Sequence, residues 1–305
     1  ERPTWGASKI GERLKTLYPE IRVPVRSTIH AILDKHGLVK KRRRKKFRAC
    51  PTNLRETDQP NGLWCVDYKG QFKLKNNQYC YPLTITDFSS RYLVACDAHE
   101  STKTDEAFEA FDNAFRKFGL PQAIRSDNGS PFSSRALLGL SRLSIWWMKL
   151  GIEVERIEPG KPQQNGRHER MHRTLKQETT KPPGLNILHQ QERFDLFQHD
   201  YNEVRPHEAL EMMVPSSKYR ISEKKYTGET PEPEYPNHDL TCYVSKNGNV
   251  YVPGQGHFGL STVLKGQNVG LVEEEEGLWR VTFANKDLGF YDSQEEIFKA
   301  ITENT

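Results

Sequence analysis

The eight residues 63–70, LWCVDYKG, decide the fold. Aromatic and β-branched side chains surround one carboxylate, Asp67, in a segment otherwise fit for burial, and this reads as a strand. A carboxylate there is costly unless something pairs with it, and a metal ion is one such partner. Two more strand-like runs follow, YCYPLTITDF at 79–88 and RYLVACDAHE at 91–100, broken by Asn-Asn and Ser-Ser-Arg turns. Three neighbouring strands are predicted.

Downstream the hydrophobic period changes. Thr102 is the expected cap of a helix running to Phe118, with Phe108, Phe111, Phe115 and Phe118 on one face and Gly119 and Pro121 ending it. A short strand AIRSD at 123–127 leads into NGSPFSS, a helix through Trp146 and Trp147, a strand IEVERIE at 152–158 and a loop PGKPQQNG. The helix NGRHERMHRTLKQE follows at 165–178, and another contains Phe194, Leu196, Phe197 and Tyr201. The order βββαβαβα predicts an α/β fold, a sheet of mixed direction with helices on its faces.

Residues 221–239, ISEKKYTGETPEPEYPNHD, are polar and Pro-rich and read as a linker. Beyond it, TCYVSKNGNVYV at 241–252 is a hairpin with an Asn-Gly turn, LWRVTFANKDLGFYD at 278–292 reads as another, and a small antiparallel β-barrel is expected. The acidic run Glu273 to Glu276 is expected as a solvated turn between strands.

Upstream, residues 5–38 read as two short helices about a Pro-containing turn, with Ser27 the expected N-cap of the second and Gly37 its C′ residue. A helix-turn-helix fits, and so does a helical hairpin that merely packs. The run that follows favours the first: between Lys40 and Arg48, with Arg42, Arg43, Arg44, Lys45 and Lys46 at its centre, only Phe47 is not basic. Such a segment stays extended until phosphates neutralise it.

Charge is distributed to match. Residues 1–50 hold 15 Lys/Arg against 4 Asp/Glu, a net of +11, and residues 51–305 hold 30 against 36, a net of −6. The partner expected for the N-terminal arm is a polyanion. No run approaches the roughly 20 apolar residues of a membrane span, and the first residues lack the apolar core of a signal peptide, so an intracellular location is expected. Five scattered cysteines form no C-x-x-C pair, which points to reduced thiols and gives a structural zinc module no support.

Two further carboxylates join Asp67. Asp127 opens Asp-Asn-Gly-Ser, where Gly129 permits a tight turn at a strand end. Glu169 stands near a helix start, where the dipole favours its charge. Taken singly, the first is more often a plain turn and the second a surface residue. Glu169, His172, Arg173 and Lys176 fall at i, i+3, i+4 and i+7, and the expected result is one polar stripe with Met171 and Leu175 turned the other way. Metals and a phosphate backbone suit such a face. Asp87 and Asp97 are competing carboxylates, Asp87 reading as a turn residue, and His168 and His172 are candidates for assisting proton transfer.

Together, Trp64-x-x-Asp67, Ser126-Asp127-Asn128-Gly129-Ser130-Pro131-Phe132, Pro162 through Asn165-Gly166, Glu169 and Lys176, and Tyr201-Asn202-x-x-Arg205-Pro206-His207 resemble the catalytic domain of retroviral integrases and bacterial insertion-sequence transposases, over residues 58–220. The insertion-sequence branch is the closer match. The resemblance implies a ribonuclease H-like fold, with Asp67, Asp127 and Glu169 as catalytic metal ligands and Lys176 as a DNA contact. It implies two Mg²⁺ ions, with Mn²⁺ as substitute, in an all-carboxylate site suited to hard cations. It further implies transposon-end and target DNA as substrates, a homodimer or larger assembly on DNA, and a bacterial, nucleoid-associated setting in the cytoplasm.

Two departures stand out. The 41 residues between Asp127 and Glu169 exceed the retroviral spacing, and a longer helix or loop is expected around RALLGLSRLSIWW. No His-His-Cys-Cys zinc module lies upstream, and a further helix-turn-helix is expected before Glu1. The expected layout is a helix-turn-helix domain at 1–39, a basic linker at 40–57, a catalytic core at 58–221, a linker at 222–238 and a barrel at 239–305. Rival readings are a non-catalytic DNA-binding repressor and a ribonuclease H-like nuclease cutting RNA–DNA hybrids.

Overall fold

The computed structural model describes residues 2–39, 54–158 and 161–301; the basic residues Arg42, Arg43, Arg44, Lys45 and Lys46 lie outside them. In chain order the helices are α1 (Ala7–Leu17), α2 (Arg26–Lys35), α3 (Thr104–Phe118), α4 (Arg142–Lys149), α5 (Gly166–Thr179) and α6 (Ile187–His199). The strands are β1 (Trp64–Tyr68), β2 (Phe72–Lys73), β3 (Tyr79–Asp87), β4 (Leu93–His99), β5 (Ala123–Ser126), β6 (Glu153–Arg156), β7 (Leu240–Tyr243), β8 (Asn249–Val252), β9 (Gly256–Gly259), β10 (Asn268–Glu275), β11 (Leu278–Phe283), β12 (Lys286–Asp292) and β13 (Ile297–Ala300). They group into two compact units, residues 1–101 with 161–222, and residues 102–160 with 223–305.

In the first unit, β3 pairs antiparallel with β1, β2 and β4. The helices α5 and α6 lie on this sheet, α5 against β1 and α6 against β4. Their apolar stripes close a core of Leu93, Cys96, Met171, Leu175, Phe194 and Phe197. The Y-N-x-x-R-P-H motif proves to be a clamp on this core. Leu93 N–H donates to Asn202 Oδ1 at 2.8 Å, Asn202 Nδ2 donates to Leu93 O at 2.9 Å, and Arg205 Nη1 pairs with Glu178 Oε1 at 2.7 Å. The N-terminal helices join the same unit. Arg2 pairs with Asp200, Thr4 bonds Glu178, and the Arg205 guanidinium lies 5.9 Å from the Trp5 ring centre. The second helix starts at Arg26 behind Val25, so Ser27 is not its cap, whereas Gly37 follows it at φ 67° as expected.

In the second unit β5 and β6 run parallel, so strand directions in the protein are mixed. The helix α3 begins at Thr104 after Lys103, not at Thr102, and no side chain caps it. Its Phe111 and Phe115 pack on Trp147 and Trp146 of α4. The extra residues before β6 form a single 3₁₀ turn and α4, which a reciprocal Ser141–Ser144 capping box starts. The expected linker is a bound strap: Tyr226 OH donates to Asp112 Oδ1 at 3.0 Å, Trp146 Nε1 to Thr230 Oγ1 at 3.1 Å, and Lys149 Nζ to Glu232 Oε1 at 2.6 Å.

The C-terminal strands form a five-stranded antiparallel sheet, β13-β12-β11-β10-β7, and a separate β8–β9 ribbon. Among the described residues no pairing joins β7 to β13, so in place of the expected small barrel the strands form an open sheet and a ribbon. Gly248 supplies the left-handed turn between β7 and β8 at φ 81°, and a β-carbon there would meet the Ser261 carbonyl carbon at 2.5 Å. The acidic run differs from expectation: β10 continues through Glu275, with Glu273 opposite Trp279, and only its end is turn.

Candidate metal centre

Asp67 sits near the end of β1, opposite Thr84 of β3. The Thr84 hydroxyl donates to Asp67 O at 3.1 Å, tying the two strands together beside the carboxylate. The helix α5 packs over this point because His168, Met171, His172, Leu175 and Thr179 share one face, which is buried. Both imidazoles therefore point at the sheet. His168 Nε2 and His172 Nε2 each lie 2.7 Å from Thr84 Oγ1, and His168 Nδ1 lies 2.8 Å from Thr86 Oγ1. The two rings meet edge to face with centres 4.5 Å apart.

This corrects the expected polar stripe. His172 is 6 % exposed and turned inward with Met171 and Leu175, so it is not a side chain a DNA backbone meets. Glu169, Arg173 and Lys176 remain exposed and keep the i, i+4, i+7 spacing. The helix is rotated by its packing, since the residues able to fill the space against β1 and β3 are those of the 168–172–175 face.

Burial sets the charge state of the pair. Removal from water depresses His168 to about 3 and, with His168 and Lys69 adding repulsion, His172 to about 2. Both are neutral near pH 7. His172 Nδ1 stands 3.7 Å from Asp67 Oδ2, and Asp67, His168 and His172 bring ligand atoms to within 4.8 Å of one another. A carboxylate beside a neutral imidazole is a donor pair that fits a divalent ion, while both nitrogens of His168 are engaged by Thr84 and Thr86.

The other expected carboxylates are placed as follows. Glu169 is exposed in the first turn of α5, next to His168 and on the helix that packs on β1. Asp127 belongs to the second unit, at the end of β5. Its Oδ1 accepts from Gly129 N–H at 3.0 Å, and Asn128 Nδ2 holds the turn by donating to Ile157 O at 2.8 Å. Asp87 is structural: its oxygens accept from Asn61 N–H at 2.7 Å, Ser90 N–H at 2.8 Å and Ser90 Oγ at 2.6 Å. Asp97 is raised to about 6 by burial and by Asp195.

Sequence reasoning passed over Thr84 and Thr86 altogether. Their signal was available: two hydroxyls at a spacing of two lie on one face of a strand, and imidazoles four apart lie on one face of a helix.

Two models of an integrase core domain match the chain, over residues 57–162 and 150–215. An uncharacterized 31.7 kDa protein of insertion element IS407 from Burkholderia multivorans is 29% identical over 62% of this chain and 66% of its own length. The Gag-Pol polyprotein of baboon endogenous virus is 33% identical over 41% of this chain and 7% of its own length. This chain spans less than two thirds of the length of the curated relatives it matches. Among solved structures, the HTLV-2 integrase catalytic core in complex with magnesium is similar at 17% identity and a TM-score of 0.43, covering 53% of this chain and 98% of that one. Matched by integrase core domain models that together run from residue 57 to residue 215, the chain belongs to the integrase core family, in the company of proteins of bacterial insertion elements.

Proposed function

We propose that the protein is a DDE transposase that cleaves transposon DNA ends and transfers their strands into target DNA, with Asp67, Asp127 and Glu169 as its catalytic carboxylates. The observation that supports this reading is Asp67 itself, a carboxylate on a core strand against which the helix bearing Glu169 packs. In this reading Asp67, Asp127 and Glu169 would hold two divalent ions, Mg²⁺ with Mn²⁺ as substitute. When bound, such ions activate the attacking hydroxyl and stabilise the leaving oxygen of an in-line displacement.

The chain's own residues do the positioning. The Asp127–Gly129 and Asn128–Ile157 bonds stiffen the turn carrying Asp127. Arg173 and Lys176, exposed on the face of Glu169, meet the phosphate backbone of the bound end. The basic residues Arg42, Arg43, Arg44, Lys45 and Lys46 track flanking DNA, and the N-terminal helices read it as a helix-turn-helix. Two ends must be cut and joined together, which calls for a homodimer or larger assembly on DNA.

The test is incubation with a supercoiled plasmid and a short duplex carrying the element's end, in Mg²⁺ or Mn²⁺. Metal-dependent joining that Asp127→Asn abolishes is the expected result. Cleavage of an RNA–DNA hybrid without joining, or DNA binding without any chemistry, would overturn it.

A further inference from the structure

Thr84 Oγ1 has three neighbours in hydrogen-bond reach: Asp67 O at 3.1 Å, His168 Nε2 at 2.7 Å and His172 Nε2 at 2.7 Å. A hydroxyl has one proton and two lone pairs. One arrangement satisfies all three contacts: Thr84 donates to Asp67 O and accepts an N–H from each ring. The Nδ1 atoms of both histidines are then bare. That of His168 accepts from the Thr86 hydroxyl at 2.8 Å. That of His172 faces the Asp67 carboxylate, with Oδ2 at 3.7 Å.

The other tautomer is poorer. If Thr84 donated to His172 Nε2, its bond to Asp67 O would be lost, and His172 Nδ1–H would gain only a contact at 3.7 Å, too long for a hydrogen bond. The favoured arrangement turns the Nδ1 lone pair of His172 toward a carboxylate oxygen, so that both can bind one cation. Two ligand atoms each about 2.1 Å from one ion stand no more than about 4.2 Å apart, and 3.7 Å is inside that limit.

We infer that His172 Nδ1 is a nitrogen ligand of the divalent ion held by Asp67, so that this site binds Mn²⁺ more tightly than the Mg²⁺ of the proposed reaction. Thr84 and Thr86 are the positioning residues, setting the tautomers and orientations of the two rings as outer hydrogen bonds do at metal-binding imidazoles. Nitrogen donors suit transition ions, whereas Mg²⁺ takes oxygen. The inference deepens the proposed function and rests on it in one respect, that Asp67 holds a divalent ion.

The experiment is a titration of the purified chain with Mn²⁺ alone, counting bound ion by electron paramagnetic resonance and reading ¹⁴N coupling by its pulsed form. The wild type is expected to bind Mn²⁺ with ¹⁴N coupling. In His172→Asn and His172→Gln, with folding checked by circular dichroism, Mn²⁺ still binds without that coupling. Its affinity relative to Mg²⁺ falls about tenfold or more. Thr84→Ser, which keeps the hydroxyl, retains the coupling. Mn²⁺ that Asp67→Asn removes but that shows no ¹⁴N coupling, or coupling that survives in both His172 variants, overturns the inference and leaves the proposed function standing. Mn²⁺ binding that Asp67→Asn does not weaken defeats both.

Discussion

Asn202 holds the backbone of Leu93 by both of its polar groups, accepting from its N–H at 2.8 Å and donating to its carbonyl at 2.9 Å. This bidentate clip fixes the start of β4 to the segment after α6. Gln198 Nε2 also donates to Leu93 O at 2.9 Å, so only the N–H is wholly dependent on Asn202. In Asn202→Ala that buried donor loses its partner, an expected cost of about 1–3 kcal/mol. A urea unfolding series on wild type and variant reads it, and an unchanged midpoint would show that the clip contributes nothing.

Thr84 is expected to matter more than its size suggests. In Thr84→Val the shape is kept but two buried imidazole N–H groups and the Asp67 carbonyl lose their common partner. The expected loss is about 2–4 kcal/mol, and Thr84→Ser recovers most of it. Equal stability of the Val and Ser variants in thermal melts would refute the hydrogen-bond account.

Acid should weaken the fold through its histidines. His168, His172 and His207 are lowered from 6.5 to about 3, 2 and 3, chiefly by burial. The unfolded chain therefore takes up protons below about pH 6.5 that the folded chain refuses. Their contribution is full above that pH and is lost as pH falls toward 3, at up to about 1.4 kcal/mol per pH unit for each histidine. Asp97 acts oppositely: raised from 3.8 to about 6, it binds its proton first in the folded state and offsets part of the loss between about pH 6 and 4. Urea midpoints at pH 7.5 and 5.0 should fall for the wild type and fall less for His168→Asn. A midpoint independent of pH would contradict the buried neutral state.

Asp127→Asn is expected to reduce strand joining by about 10³-fold or more, since a charge held against metal is worth several kcal/mol in the transition state. End-DNA binding, read by gel shift, should stay within a few-fold. A matching collapse of binding would mean that the residue acts on structure.

In Lys176→Ala, DNA binding should weaken similarly for any sequence, and the slope of log affinity against log salt should shrink by about one. A loss confined to one sequence would instead mark Lys176 as a base reader.

The order and type of elements were readable without any fold in hand. The strand of LWCVDYKG, the aromatic stripe of α3 and the hairpin of LWRVTFANKDLGFYD rest on hydrophobic period and turn residues, which are local properties. The hairpin expected at 241–252 is not one ladder: β7 pairs with β10 and β8 with β9, partners that a local pattern does not name. Family motifs likewise singled out Asp67, Asp127 and Glu169 as letters in a line. The facing of α5 was not readable, because Glu169, His172, Arg173 and Lys176 are polar and their spacing allows more than one rotation of the helix. Packing against β1 and β3 settled it, burying His168 and His172 on Thr84 and leaving Glu169 exposed. Residues 222–238 passed as a linker for a similar reason. Their polarity and prolines describe a chain without regular structure, but whether such a chain hangs free or lies along a surface depends on partners distant in sequence. Here those partners are Asp112, Trp146 and Lys149, and no local pattern encodes them.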